Sequence, residues 1–147
     1  RNGPWNMAYA SGTTKYTTAA KIANDYEQTN FAINYQMGKA KLMYLTNVNK
    51  IGATKTQTDM IGTQYDVSTG QVRIASTKLK ATGVANDASQ WAVGYVHNLS
   101  KRTVLFTNYS KVSNSGTGKQ FAVGSGISVT TPGGSSTGYE FGVRHSF

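Results

Sequence analysis

From Trp5 to Phe147 the chain alternates bulky apolar or aromatic side chains with small or polar ones, about eight times over. A two-residue period sends successive side chains to opposite faces of an extended strand, so this pattern commits the chain to β-sheet. Trp5, Met7 and Tyr9 oppose Asn6 and Ala8; Phe31, Ile33, Tyr35 and Met37 oppose Ala32, Asn34 and Gln36. Every strand therefore has one bulky face and one small or hydrophilic face.

Further strands are predicted at 41–48, 61–67, 72–77, 91–97, 103–109 and 139–147. Gly38-Lys39, Ser68-Thr69-Gly70 and Asn98-Leu99-Ser100-Lys101 read as tight turns between them. The other connections read as long: a polar stretch at 11–28, a loop at about 49–57, a medium one near 82–87 and a Gly, Ser and Thr-rich loop at about 112–136. In an up-and-down meander every second connection lies at the same end of the sheet, so one end has short turns and the other long loops. One helical turn is expected, at Ala19 to Asn24, and no domain boundary divides residues 1–147.

The composition does not suit a soluble core. Hydrophobic residues make up 38% and charged residues 14%, against soluble averages of roughly 45–50% and about 25%. No run approaches the roughly 20 apolar residues of a membrane-spanning helix, and Arg1-Asn2-Gly3-Pro4 reads as a turn rather than a signal peptide. The 15 Lys and Arg against 6 Asp and Glu give a formal charge of +9, which suits a polyanion binder, an anionic membrane surface or an anion-preferring pore. The lysines are scattered rather than run together, which argues against nucleic acid as a partner. With no cysteine, neither a disulfide nor a thiolate metal site can form.

Size decides which face meets which solvent. Packed inward, Trp5, Tyr35, Tyr65, Trp91, Tyr95 and Tyr109 would crowd a core with rings whose polar atoms need partners. Turned outward, they occupy the place of an aromatic girdle, with Trp5, Tyr35, Tyr65, Tyr95 and Phe147 toward the short-turn end and Phe31, Trp91, Tyr109 and Tyr139 toward the long-loop end. A sheet in lipid must close, because unpaired backbone groups there cost several kcal/mol each. The fold class expected is an all-β, antiparallel, up-and-down transmembrane barrel.

Three segments carry a family resemblance: Val93-Gly94-Tyr95 followed by Asn98-Leu99-Ser100-Lys101-Arg102-Thr103, the approach Thr131-Pro132-Gly133-Gly134-Ser135-Ser136-Thr137-Gly138, and the ending Gly142-Val143-Arg144-His145-Ser146-Phe147. On these the chain resembles the C-terminal half of a Gram-negative trimeric porin of the beta-proteobacterial type. Such porins are barrels of about 16 strands, more than twice this length. The resemblance implies a homotrimer when full length, contact with outer-membrane lipid and lipopolysaccharide, and a terminal strand read by the barrel-assembly machinery. That signal falls on Tyr139, Phe141, Val143, His145 and Phe147. The constriction loop of the family lies in the other half and has no match here.

By alternation Lys41, Arg73, Arg102, Arg144 and Glu140 point to the lumen, with Glu140 expected to pair with an arginine on the wall. Lumenal charge selects ions without bond-making. His97 and His145 read as interfacial, Ser135 and Ser136 lack a nucleophile elbow, and Gly124-Ser125-Gly126 reads as flexible external loop rather than a phosphate loop. No catalytic residue, metal or cofactor is expected. The function implied is a water-filled channel for small hydrophilic solutes, weakly anion-preferring. Two alternatives remain: a closed eight-stranded barrel with a structural or adhesion role, and a soluble basic β-protein that binds polyanions. The small inner residues Ala8, Ala32, Ala75, Ala92, Gly94 and Gly142 leave an eight-stranded lumen unfilled and favour part of a wider barrel.

Overall fold

Alternation of this kind satisfies the backbone only if each strand finds a neighbour on both sides, and the sequence supplies neighbours in order. The computed structural model describes residues 3–15, 24–84, 86–124 and 128–147. Within them eight strands run as β1 (Trp5–Thr14), β2 (Tyr26–Met37), β3 (Ala40–Ile51), β4 (Thr54–Val67), β5 (Gly70–Thr82), β6 (Ala88–Asn98), β7 (Thr103–Asn114) and β8 (Ser135–His145). All are antiparallel in one sheet of order β1 to β8. Each strand touches only its neighbours in sequence. The helical turn expected at Ala19 to Asn24 falls, all but its last residue, outside the described residues.

The strands outrun their predicted ends on the long-loop side. Above the bulky segments both faces become polar, so the alternation of hydrophobicity stops while the ladder continues. The sharpest case is the loop expected at 49–57, which is instead a tight turn at Gly52-Ala53, with Lys50 opposite Lys55 and Ile51 opposite Thr54. Gly52 takes φ 57°, a left-handed conformation that glycine adopts without a Cβ penalty. Connections at that end are thus long only between β1 and β2 and between β7 and β8. At the other end the turns at 38–39, 68–69 and 99–102 are tight, as expected.

The described residues form no conventional core. Val112 is the one buried apolar side chain among the described residues, while Tyr139 is 86% and Phe141 71% exposed. The register explains this, because directly paired residues share a face. Trp5, Tyr35, Leu42, Thr63, Ile74, Val93, Tyr109 and Tyr139 form one continuous row across all eight strands. Asn6, Asn34, Met43, Gly62, Ala75, Ala92, Ser110 and Gly138 form the adjacent row on the opposite face. We call these the aromatic and the polar face.

The apolar band on the aromatic face crosses the rows obliquely. On β1 it spans Trp5 to Tyr9, whereas on β8 it runs from Tyr139 to Val143, displaced toward the short turns. A band that stays level while the strands tilt must cross the rows in this way.

β1 and β8 are the two edges of the sheet, and no ladder joins them among the described residues. Their unpaired N–H and C=O groups are a template for pairing with other chains. Refolded alone in detergent, the 147-residue chain is therefore expected to give mixed oligomers on size-exclusion chromatography; a compact, heat-modifiable monomer would contradict the open-edge topology.

Candidate functional site

Charge on the polar face of the strands is confined to the short-turn end. Gln36, Lys41, Gln64, Arg73, Gly94, Asn108 and Glu140 form one row across β2 to β8. Nearer the turns, Asp66 pairs with Gln71, and Val104 pairs with Arg144. Toward the long loops the same face is neutral. There Tyr26 Oη donates to Asn49 Oδ1 at 2.8 Å, Asn49 Nδ2 to Asn47 Oδ1 at 2.7 Å, and Asn47 Nδ2 to Asn30 Oδ1.

Arg73 is held through the single amide of Gln71. Its Nε donates to Gln71 Oε1 at 2.6 Å, and Gln71 Nε2 donates to Asp66 Oδ1 at 2.7 Å. The Asp66 charge is thus engaged by an amide rather than by the guanidinium. Sequence reasoning does not single out Asp66, although it shares the parity of Gln64 on β4.

Arg73 and Arg144 line one hollow of about 290 Å³ with Val96, Val104, Phe106 and Asn108. Two glycines shape this region. A Cβ on Gly94 would run into Asn108 Oδ1, so the missing side chain lets Asn108 lean across toward β6. A Cβ on Gly142 would lie 2.7 Å from Phe106 Cε1, so the ring lies directly over the glycine.

Glu140 does not pair with an arginine, contrary to the expectation from sequence. Its Oε1 accepts from Asn108 Nδ2 at 2.6 Å, and the ion pair found among the described residues is Lys50 with Glu27, on the other face. Asn108 stands in the same row and supplies a nearer donor. Arg102 differs too: it lies in the β6–β7 turn, outside the ladder, where its C=O accepts from Ser146 N at 2.9 Å. Lys41, Arg73, Arg144 and Glu140 stand on the polar face as alternation requires.

The connection between β7 and β8 is the largest departure. Part of it folds against the polar face instead of standing clear of the sheet as external loop. Buried Asn114 accepts from Phe121 N at 3.1 Å, and its Nδ2 donates to Phe121 O at 2.8 Å and Gly134 O at 3.0 Å. Phe121 and Ala122 line a hollow with Leu79, Ala88 and Val112 on this face. Val123 N donates to Ser136 Oγ at 3.2 Å, and Val123 packs where Gly138 has no side chain. Of Gly124-Ser125-Gly126, the last two lie outside the described residues. The sequence signal for this inward fold is the short apolar run Phe121-Ala122-Val123 inside an otherwise polar loop.

On the aromatic face the Trp5 and Tyr35 rings pack tilted at 39° with centroids 4.3 Å apart, and those of Trp91 and Tyr109 at 45° and 5.2 Å. Tyr65 and Tyr95 flank Val72 in the row nearer the turns. At the turn end Tyr95 Oη and His97 Nδ1 are 3.1 Å apart, and Thr103 Oγ1 and His145 Nδ1 are 2.8 Å apart. β8 carries Tyr139, Phe141, Val143 and His145 on this face, and the His145 ring meets that of Phe147 edge-on at 4.9 Å.

A single meander whose bulky face has no covering layer, and whose other face bears charge and amides, is the wall of a transmembrane β-barrel. The chain belongs to the Gram-negative porin family, whose model matches residues 1–117. It is 30% identical to outer membrane porin protein 32 of Delftia acidovorans over 99% of its own length and 44% of that protein. It superposes on the anion-selective porin from Comamonas acidovorans with a TM-score of 0.85 and 30% identity, covering 99% of this chain and 46% of that one. The chain thus spans about half the length of the relatives it matches.

Two substitutions test the packing on the polar face in the full-length porin. Gly142→Ala is expected to cost about 1–3 kcal/mol by overpacking Phe106, read as a lower temperature of heat-modified migration. Asn114→Ala should leave the wall folded but open the 115–134 connection to limited proteolysis; unchanged cleavage would show that the amide does not hold it.

Proposed function

We propose that the chain forms half the wall of a water-filled outer-membrane channel through which small hydrophilic solutes and ions diffuse passively, with anions preferred. The observation that carries this reading is the placement of Lys41, Arg73 and Arg144 on the polar face, with both carboxylates there, Asp66 and Glu140, engaged by neutral amides. The guanidinium groups keep their field toward the lumen because, among the described residues, no carboxylate lies within ion-pairing distance of them. No bond is made or broken in such a passage.

The solved relative from Comamonas acidovorans is an anion-selective porin, which supports the same sign of preference. Tyr139, Phe141, Val143, His145 and Phe147 serve in this reading as the assembly signal, and Trp5, Tyr35, Tyr65, Trp91, Tyr95 and Tyr109 as girdle residues at the two membrane interfaces. A trimer of the full-length protein is part of the same proposal. The eight-stranded structural barrel is set aside, because the sheet is open at β1 and β8 and matches half of a longer wall.

The size of the selectivity effect follows from Coulomb's law. At about 7 Å in water a unit charge changes an ion's energy by ~0.6 kcal/mol, and reversing a charge changes it by about twice that. Salt screening lowers the figure. Arg73→Glu in the full-length porin is therefore expected to reduce the anion-to-cation permeability ratio roughly two- to sevenfold, measured as a reversal potential in planar bilayers across a salt gradient. An unchanged ratio would remove Arg73 from the selectivity role, and the absence of stepwise conductance in wild type would overturn the channel itself.

A further inference from the structure

The polar face is not polar throughout. On β3 to β6 the row Met43, Gly62, Ala75 and Ala92 carries no polar side chain, although the interior of a water-filled barrel is ordinarily polar. Met60 stands one row nearer the long loops, opposite Thr77. A hollow of about 220 Å³ opens over this region, with the thioethers of Met43 and Met60 as walls and Gly62, Ala75 and Ala92 as floor. A Cβ on Gly62 would touch Met43 Cε at 3.5 Å and Ala75 Cβ at 3.9 Å, so the Met43 side chain closes over the glycine and the floor stays flat.

The end of the hollow nearer the short turns has the opposite character. Gln64, Arg73, Gly94 and Asn108 form the next row, and the side chains of Gln64, Arg73 and Asn108 line that end. Gln71 engages only the Nε of Arg73, which leaves the terminal guanidinium nitrogens for a ligand. Among the described residues no carboxylate lies within ion-pairing distance of them. Asp66 is one row nearer the turns, on the side away from the hollow. Glu140 is three strands along the row, about 14 Å away at the spacing of neighbouring strands.

We propose that this hollow is a seat for an aromatic carboxylate in transit, with the ring on the floor between Met43 and Met60 and the carboxylate on Arg73. Geometry and charge select this occupant. A guanidinium takes a carboxylate through two parallel hydrogen bonds. Successive rows on one face are about 7 Å apart, a span that a ring bearing a carboxylate bridges and an acetate does not. A flat floor accepts the face of a ring, and thioether sulfurs make favourable contacts with aromatic edges. An apolar cavity of about 150 Å³ already holds a benzene, so the hollow admits a single ring. An inorganic anion would leave the apolar floor unused, and a neutral arene would leave the guanidinium unused. The proposal rests on the polar face being the lumen, as in the channel reading above, and adds a preference among anions to the preference for anions.

The test uses the full-length porin in planar bilayers bathed in chloride. Benzoate, acetate and benzyl alcohol are added in turn, and the concentration that half-blocks the current is read against each channel's own chloride conductance. Benzoate is expected to half-block at about tenfold lower concentration than acetate, because contact of the ring with the floor adds to the carboxylate contact they share. Benzyl alcohol is expected not to block. The M60Q/A92N variant makes the seat polar and should abolish the advantage of benzoate while leaving the acetate value unchanged, whereas Met60→Leu keeps the seat apolar and should keep the advantage. Equal half-block by benzoate and acetate in wild type would overturn the proposal, as would an undiminished advantage in M60Q/A92N; the wild-type comparison decides alone if that variant does not assemble. Block by benzyl alcohol at the benzoate concentration would also overturn it, since Arg73 would then contribute nothing. Absence of chloride conductance in wild type would instead be failure of the channel reading, so the two failures are distinguishable.

Discussion

A backbone crossing a bilayer has no water to bond with, so every N–H and C=O must be paired within the protein. The rest of this structure depends on that requirement. It explains why eight strands follow one another in a single ladder with no interruption in order. It also explains why the strands carry so few apolar residues in total: each needs bulky side chains on one face only, and only over the thickness of the hydrocarbon. The two free edges, β1 and β8, are where the requirement is left for another part of a barrel to meet.

Once the ladder is fixed, the period of two divides the chain between two solvents. One face is filled by Trp5, Tyr35, Ile74, Tyr109 and Tyr139, which would find no core to enter. The other carries amides, glycines and a small number of charges gathered near the short turns. The glycines there make room for specific neighbours: Gly94 for Asn108, Gly142 for Phe106 and Gly138 for Val123. The polar face is thus shaped by what its small residues admit, and the charged groups are oriented by amides such as Gln71, which joins Asp66 to Arg73.

Much of this is legible in the sequence because alternation of size reports directly on pleat parity. The facial assignment of Lys41, Arg73, Arg144 and Glu140 and all three tight turns of the short end follow from it. What escapes lies where the physical signal vanishes. From Thr54 to Thr58 both faces are polar, so a strand looks like a loop, and the tight turn at Gly52 is hidden with it. A wall position for Arg102 comes from extending parity past the end of a strand, where alternation no longer applies. The partner of Glu140 and the inward packing of Phe121 depend on contacts between segments distant in sequence, which periodicity does not encode.

Everything in this picture requires adjacent residues of one strand to face different solvents. With no native cysteine, the full-length porin can carry single cysteines along β6 without background, provided its remaining half is likewise cysteine-free. In lipid vesicles, cysteines at Gln90, Ala92 and Val96 are predicted to react with a water-soluble maleimide. Cysteines at Trp91, Val93 and Tyr95 are predicted to resist it and, when labelled beforehand, to be quenched by brominated acyl chains. Uniform reactivity along β6, or the opposite alternation, would contradict the division of the sheet between lipid and water.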